Sequence, residues 1–372
     1  MQRYRLSVTV LGLVVCTLGM MWYLWNPDQP PQRMYARLIN GRAQRPYITR
    51  VLWGTMAGTL GRYLPPSLDD LDPVVLLGED TNAGLSPTAQ TPNTRQTRLR
   101  RVAYGVLGWR KGNTRALLAG LLLTWASLVG WFLLWPSWYR AIFPVSLVFG
   151  EREPYLAALI ALFCLPATWR GGAYPYDFPQ LLLCVGLTIA AARQRALPFL
   201  LLLAVASVNR ETTVLMIAVW WVFNRGKSGP LWASIVVYAL IRGAITWAYR
   251  GSPGSMLEFH LLDHNLTTMW VRGVGLLPVV ALALLPFAIG WRAAPGTVRR
   301  ALLVTAVPAL ALGLFSGWLD ELRQYSEACN FALAIVALGL FAIRARFGDT
   351  RGETVPLLPP SLPEAASSEE SG

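Results

Sequence analysis

Apolar runs separated by short polar turns pattern the chain from residue 6 to residue 343. The runs fall at 6–25, 116–135, 154–169, 181–192, 196–208, 212–223, 231–249, 274–291, 301–315 and 328–343. A helix needs about 20 apolar residues to cross a hydrocarbon core of about 30 Å, and the longest runs reach that length. A membrane β-barrel would instead alternate polar and apolar residues in segments of about 10. The pattern predicts an all-α polytopic transmembrane helical bundle of about ten spans, over residues 1–346. Residues 347–372 are rich in Pro, Ser and Glu and predict a disordered tail.

Residues 174–213 carry the most information. One apolar segment runs into the turn Arg193-Gln194-Arg195 and a second runs back. Two segments joined by so tight a turn are antiparallel. Tyr174, Tyr176 and Asp177 therefore share one membrane face with Asn209, Arg210 and Glu211, opposite the arginine turn. Charges this close to hydrocarbon are costly and mark functional sites.

The rest of the chain sets the orientation. Lys and Arg collect in cytoplasmic loops, and Arg3/Arg5, Arg193/Arg195, Arg225/Lys227, Arg292/Arg299/Arg300 and Arg344/Arg346 all fall on one side of a ten-span map. Both termini are then cytoplasmic. Asp28, the hairpin's open end, the loop 250–272 and Glu321/Arg323 face outward. Residues 29–115 form a large outer loop, with 51–64 as an interfacial helix or, alternatively, an extra span or re-entrant piece. The loop's own arginines sit against the rule, which long loops obey weakly. The N-terminal run is longer than a signal peptide's apolar region and lacks a small-residue cleavage site, so it reads as a retained first span.

Composition adds little that the pattern lacks. The chain is 54% hydrophobic and 14% charged, where a soluble domain has about 25% charged residues. The net charge of +13 is nearly all arginine, Lys111 and Lys227 being the only lysines. Loop arginines and anionic membrane lipid explain that excess, so no nucleic-acid partner is implied. Cys16, Cys164, Cys184 and Cys329 lie in apolar runs without CxxC spacing and read as small buried hydrophobes.

Several polar clusters are candidates for chemistry. At the hairpin mouth, Arg210 could hold a phosphate oxygen and Asp177 or Glu211 could act as base. The competing reading is a buried ion network that ties helices together. In GWLDELRQYSE, Asp320, Arg323 and Glu327 share a helical face, and Glu321 and Arg323 are candidates for the same outer pocket. Arg45 and Arg50 in RPYITR suit a lipid headgroup or a specific phosphorylated lipid. His260 and His264 have i,i+4 spacing without the HExxH signature, so a divalent metal rests on a weak pair and no cofactor is implied. No Walker A, GxGxxG or GxSxG motif occurs.

RPYITRVL, YDFPQLLL, SVNRETTVLM and ELRQYSE together resemble a group of bacterial polytopic membrane proteins that is similar to the GT-C class of membrane glycosyltransferases. The resemblance spans most of residues 1–345. It implies a bacterial inner (plasma) membrane protein, a polyprenyl-phosphate-linked sugar as donor and an outer-face acceptor. It makes Asp28 the first-loop acid and candidate base, with Asp177 and Glu211 as further catalytic candidates. Arg45, Arg50, Tyr176, Asn209, Arg210, Glu321 and Arg323 become candidates for substrate binding. Asp28 stands alone where the class often has an acidic pair, and no large C-terminal domain follows. A lipid-phosphate transporter or flippase, or a non-catalytic scaffold of an envelope polysaccharide system, remain alternatives.

Overall fold

The computed structural model describes residues 2–25, 38–39, 49–71, 109, 111–143, 150–168, 175–253, 284–316 and 325–348. Regular structure among them is entirely helical. The helices are α1 (Gln2–Trp25), α2 (Val51–Gly61), α3 (Thr114–Ile142), α4 (Glu153–Thr168), α5 (Asp177–Ala192), α6 (Ala196–Asn209), α7 (Leu215–Phe223), α8 (Ser228–Ala248), α9 (284–293), α10 (Gly296–Ser316) and α11 (Ser326–Gly348). Four of them, α3, α8, α10 and α11, are long and apolar enough to cross a membrane.

The long helix α3 is the bundle's spine. Sequence reasoning ends this span at residue 135, before Pro136, but the helix continues through the proline to Ile142. A helical proline forfeits one backbone hydrogen bond and crowds the preceding turn, which neighbouring helices in a membrane bundle compensate. Here Trp131, Trp135, Trp138 and Tyr139 flank it, all fully buried. Trp135 packs on Trp138 with ring centroids 4.8 Å apart, and Trp138 reaches Phe331 of α11 at 5.8 Å. The indoles of Trp131 and Trp135 donate to Asn330 Oδ1 at 2.8 and 3.4 Å. Aromatic packing thus supports the helix where the proline weakens it.

Helix α2 lies along the first half of α3. Its sequence, VLWGTMAGTLG, holds no charge, so it lacks the polar face of an amphipathic interfacial helix. Trp53 donates from Nε1 to Thr124 Oγ1 at 3.0 Å. Gly120 of α3 admits the Trp53 ring, because a Cβ there would overlap it. The start of α3 is capped from a distance. Asp69 accepts from the backbone N–H of Arg115 at 3.0 Å and from its Nε at 2.5 Å. A carboxylate at a helix N-terminus satisfies an open N–H and complements the macrodipole.

Helices α5 and α6 form the predicted hairpin. The turn is made by Arg193–Arg195, with Gln194 in the left-handed region at φ 56. Helix α5 starts at Asp177, one turn earlier than the apolar run alone indicates, which puts that carboxylate in the first turn. Helix α6 ends at Asn209, and extended backbone at Arg210 (φ −153, ψ 143) redirects the chain into a 3-10 turn, Glu211–Val214, before α7. The four cysteines are free, with Cys16 and Cys184 buried.

Candidate functional site

The open end of the hairpin is closed by Asn209. Its Nδ2 donates to the Tyr176 carbonyl at 2.9 Å and to Gln180 Oε1 at 3.0 Å. This bond brings the Tyr-Asp cluster and the Asn-Arg-Glu cluster to one level of the bundle. Other elements converge on that level: Arg50 from the residue before α2, Tyr238 and Arg242 from α8, Ser326 and Glu327 from α11.

The assembly has an inner and an outer part. Inside, Arg210 Nη1 donates to Asp177 Oδ1 at 3.4 Å and to Ser326 Oγ at 2.8 Å. Both side chains of the ion pair are sealed, with exposures of 3% and 5%. Next to them lies Glu327, fully buried. Gln180 Nε2 and Thr212 Oγ1 donate to its Oε1 at 3.0 and 2.6 Å, and Ser326 Oγ donates to Oε2 at 3.2 Å. Buried carboxylates persist only when paired or hydrogen-bonded, and these two are.

The outer part is centred on Glu211. Arg50 grips it in fork fashion, Nε to Oε2 at 3.2 Å and Nη2 to Oε1 at 2.5 Å. The same guanidinium donates from Nη1 to the Tyr176 hydroxyl and lies 4.8 Å from that ring's centroid. Arg242 approaches from α8. Its Nη2 is 3.9 Å from Glu211 Oε2, while Nη1 donates to the carbonyls of Thr49 and Ser207 at 3.1 and 3.2 Å. Tyr238 donates to the Glu211 carbonyl at 2.7 Å. Glu211 keeps 35% of its side chain exposed, so this edge meets the surroundings where the inner part does not.

Arg50 and Arg242 both meet the Glu211 carboxylate, and a carboxylate held by two cations is a weak general base. Glu211 fits the role of holding two guanidinium groups in place beside an accessible edge. A guanidinium suits an oxyanion, and 12% of the Arg50 side chain and 10% of the Arg242 side chain are exposed beside that edge. Asp177, enclosed by Arg210 and Ser326, fits a positioning role.

Of the residues singled out in the sequence, the structure gathers Arg50, Tyr176, Asp177, Asn209, Arg210 and Glu211. Asp28, Arg45, Glu321, Arg323, His260 and His264 lie outside the described residues. Sequence reasoning passed over Arg242, Gln180 and Glu327's partners. The signal for Arg242 was present, since a charge inside an apolar 21-residue helix marks a site by itself. Among the described residues no group of three or more His, Cys, Asp or Glu side chains could hold a metal ion. In comparisons with family models, curated proteins and solved structures, nothing matches the chain.

Proposed function

We propose that the chain is a membrane glycosyltransferase of GT-C type, moving a sugar from a polyprenyl-phosphate donor to an outer-face acceptor. The observation that carries this reading is the paired guanidinium edge, Arg50 and Arg242 about a single partly exposed carboxylate. Such an edge suits the phosphate of a lipid-linked donor, whose leaving charge grows as the glycosidic bond breaks. In this reading Arg50 and Arg242 hold the phosphate, Glu211 and Tyr176 aim Arg50, and Asp28 is the base that takes the acceptor's proton. Ten spans, two cytoplasmic termini and a bacterial inner-membrane location belong to the same proposal.

The test is a comparison of envelope lipids and glycans between a deletion strain and its parent, with complementation by variants. Asp28→Asn should lower the restored product by about 10²–10⁴ if it removes a general base, and Arg242→Gln should lower it with the protein still present in the membrane. Full restoration by both variants sinks the proposal. The enclosed Asp177–Arg210–Ser326–Glu327 group favours a second reading, a scaffold whose polar residues only lock helices. That reading expects Arg242→Gln to act solely by reducing the amount of folded protein.

A further inference from the structure

At the end of the bundle that holds the hairpin's arginine turn, away from the polar layer, a second cluster forms from four separate helices. Arg5 comes from the start of α1, Arg140 from the end of α3, Arg152 from the residue before α4 and Arg344 from the end of α11. The guanidinium groups of Arg5 and Arg140 both lie over the Tyr155 ring, at 5.7 and 5.3 Å from its centroid. Arg152 lies 5.1 Å from the ring of Tyr4, and Arg344 is near enough to act on the Tyr4 hydroxyl electrostatically. That hydroxyl is buried and has no hydrogen-bond partner among the described residues. Helix α4 packs on α1, α3 and α11, so the grouping is fixed by the bundle.

Two cations on one aromatic ring repel each other, and cation–π attraction is modest at exposed sites. The carboxylates at hand are few. Glu151 meets Arg5 at 3.9 Å, with exposures of 71% and 49%, and exposed pairs of this kind are weak. Glu153 lies in the first turn of α4. Among the described residues, four arginines therefore face two acids, and all four are exposed. Just inside this rim the same helices present bare apolar side chains: Leu6 and Val10 of α1, Leu133 and Leu134 of α3, Leu340 of α11.

We propose that Arg5, Arg140, Arg152 and Arg344, arranged on Tyr4 and Tyr155, form a binding site for the phosphate headgroup of an anionic phospholipid. The headgroup bridges the arginines and offers an acceptor to the Tyr4 hydroxyl. The acyl chains run along the exposed leucines, which a free phosphate ion has no use for. Basic pockets between transmembrane helices bind lipid headgroups in this manner.

Full-length protein purified in detergent, supplied with mixed phosphatidylglycerol and phosphatidylcholine, tests the site by native mass spectrometry. The wild type should retain phosphatidylglycerol preferentially. Arg140→Gln with Arg344→Gln should weaken that retention by about fivefold for each arginine lost, and Arg→Lys at the same positions should recover most of it. Arg225→Gln removes an arginine that lies over Trp221 at 5.7 Å and should change nothing. Retention without headgroup preference, or an equal loss with Arg225→Gln, overturns the proposal. Full displacement by excess inorganic phosphate assigns the site to a free anion and overturns its lipid part.

Discussion

Glu211 and Asp177 sit on adjacent parts of one polar layer, yet their surroundings give them different work. Glu211 holds Arg50 in a fork at a partly exposed edge. Glu211→Gln should therefore lower the unfolding temperature in detergent, and a value equal to the wild type's would mean that Glu211 does not hold Arg50 in place. Asp177 is sealed with Arg210. Removing one partner of a buried pair costs about 3–5 kcal/mol, while replacing both by apolar residues is often neutral. Asp177→Asn should therefore destabilise strongly, and Asp177→Leu with Arg210→Met should regain most of the loss. A single variant as stable as the wild type would show that the pair does not hold the helices.

Helix ends were legible wherever turn chemistry was explicit. Arg193–Arg195 and Arg225–Lys227 mark ends in the sequence, and the structure turns at both, with Gly226 at φ 89. The Pro136 stop misled, because the aromatic side chains that compensate it act through α11, far along the chain. The same limit hid the partners in the polar layer: Arg50 meets Glu211 161 residues away and Gln180 meets Glu327 147 residues away. Periodicity reports which face of a helix is apolar and is silent on which neighbour covers it. Helix crossings show this too. Gly290 of α9 and Gly339 of α11 let two backbones touch, and a Cβ at Gly339 would land on the Pro286 carbonyl. Overpacking of this sort costs about 1–3 kcal/mol. Gly339→Ala should lower the unfolding temperature, whereas Gly243→Ala, with open space about it, should not. Equal effects would mean that the crossing is not tight.

At the scale of the whole molecule, helix lengths place the polar layer in depth. At 1.5 Å per residue, the 16 residues of α5 and the 14 of α6 run about 24 and 21 Å. Both fall short of a hydrocarbon core of about 30 Å. If the arginine turn marks one boundary, the layer lies recessed beneath the other. The register of α3 agrees. Gly130 faces Leu182, so Asp177 lies near residue 125, and Thr114–Thr124 rises about 16 Å beyond it with α2 alongside. In the proposed ten-span topology, Tyr63, 84% exposed just beyond α2, and Arg195, exposed at the turn, belong to opposite sides of the membrane. A membrane-impermeant maleimide should label Tyr63→Cys in intact spheroplasts and Arg195→Cys only after permeabilisation, with the parent chain as background. Buried Cys16 and Cys184 should stay unlabelled in both conditions. The two introduced thiols reacting from the same side would reject a hairpin that crosses the membrane, and with it a donor site that opens outward.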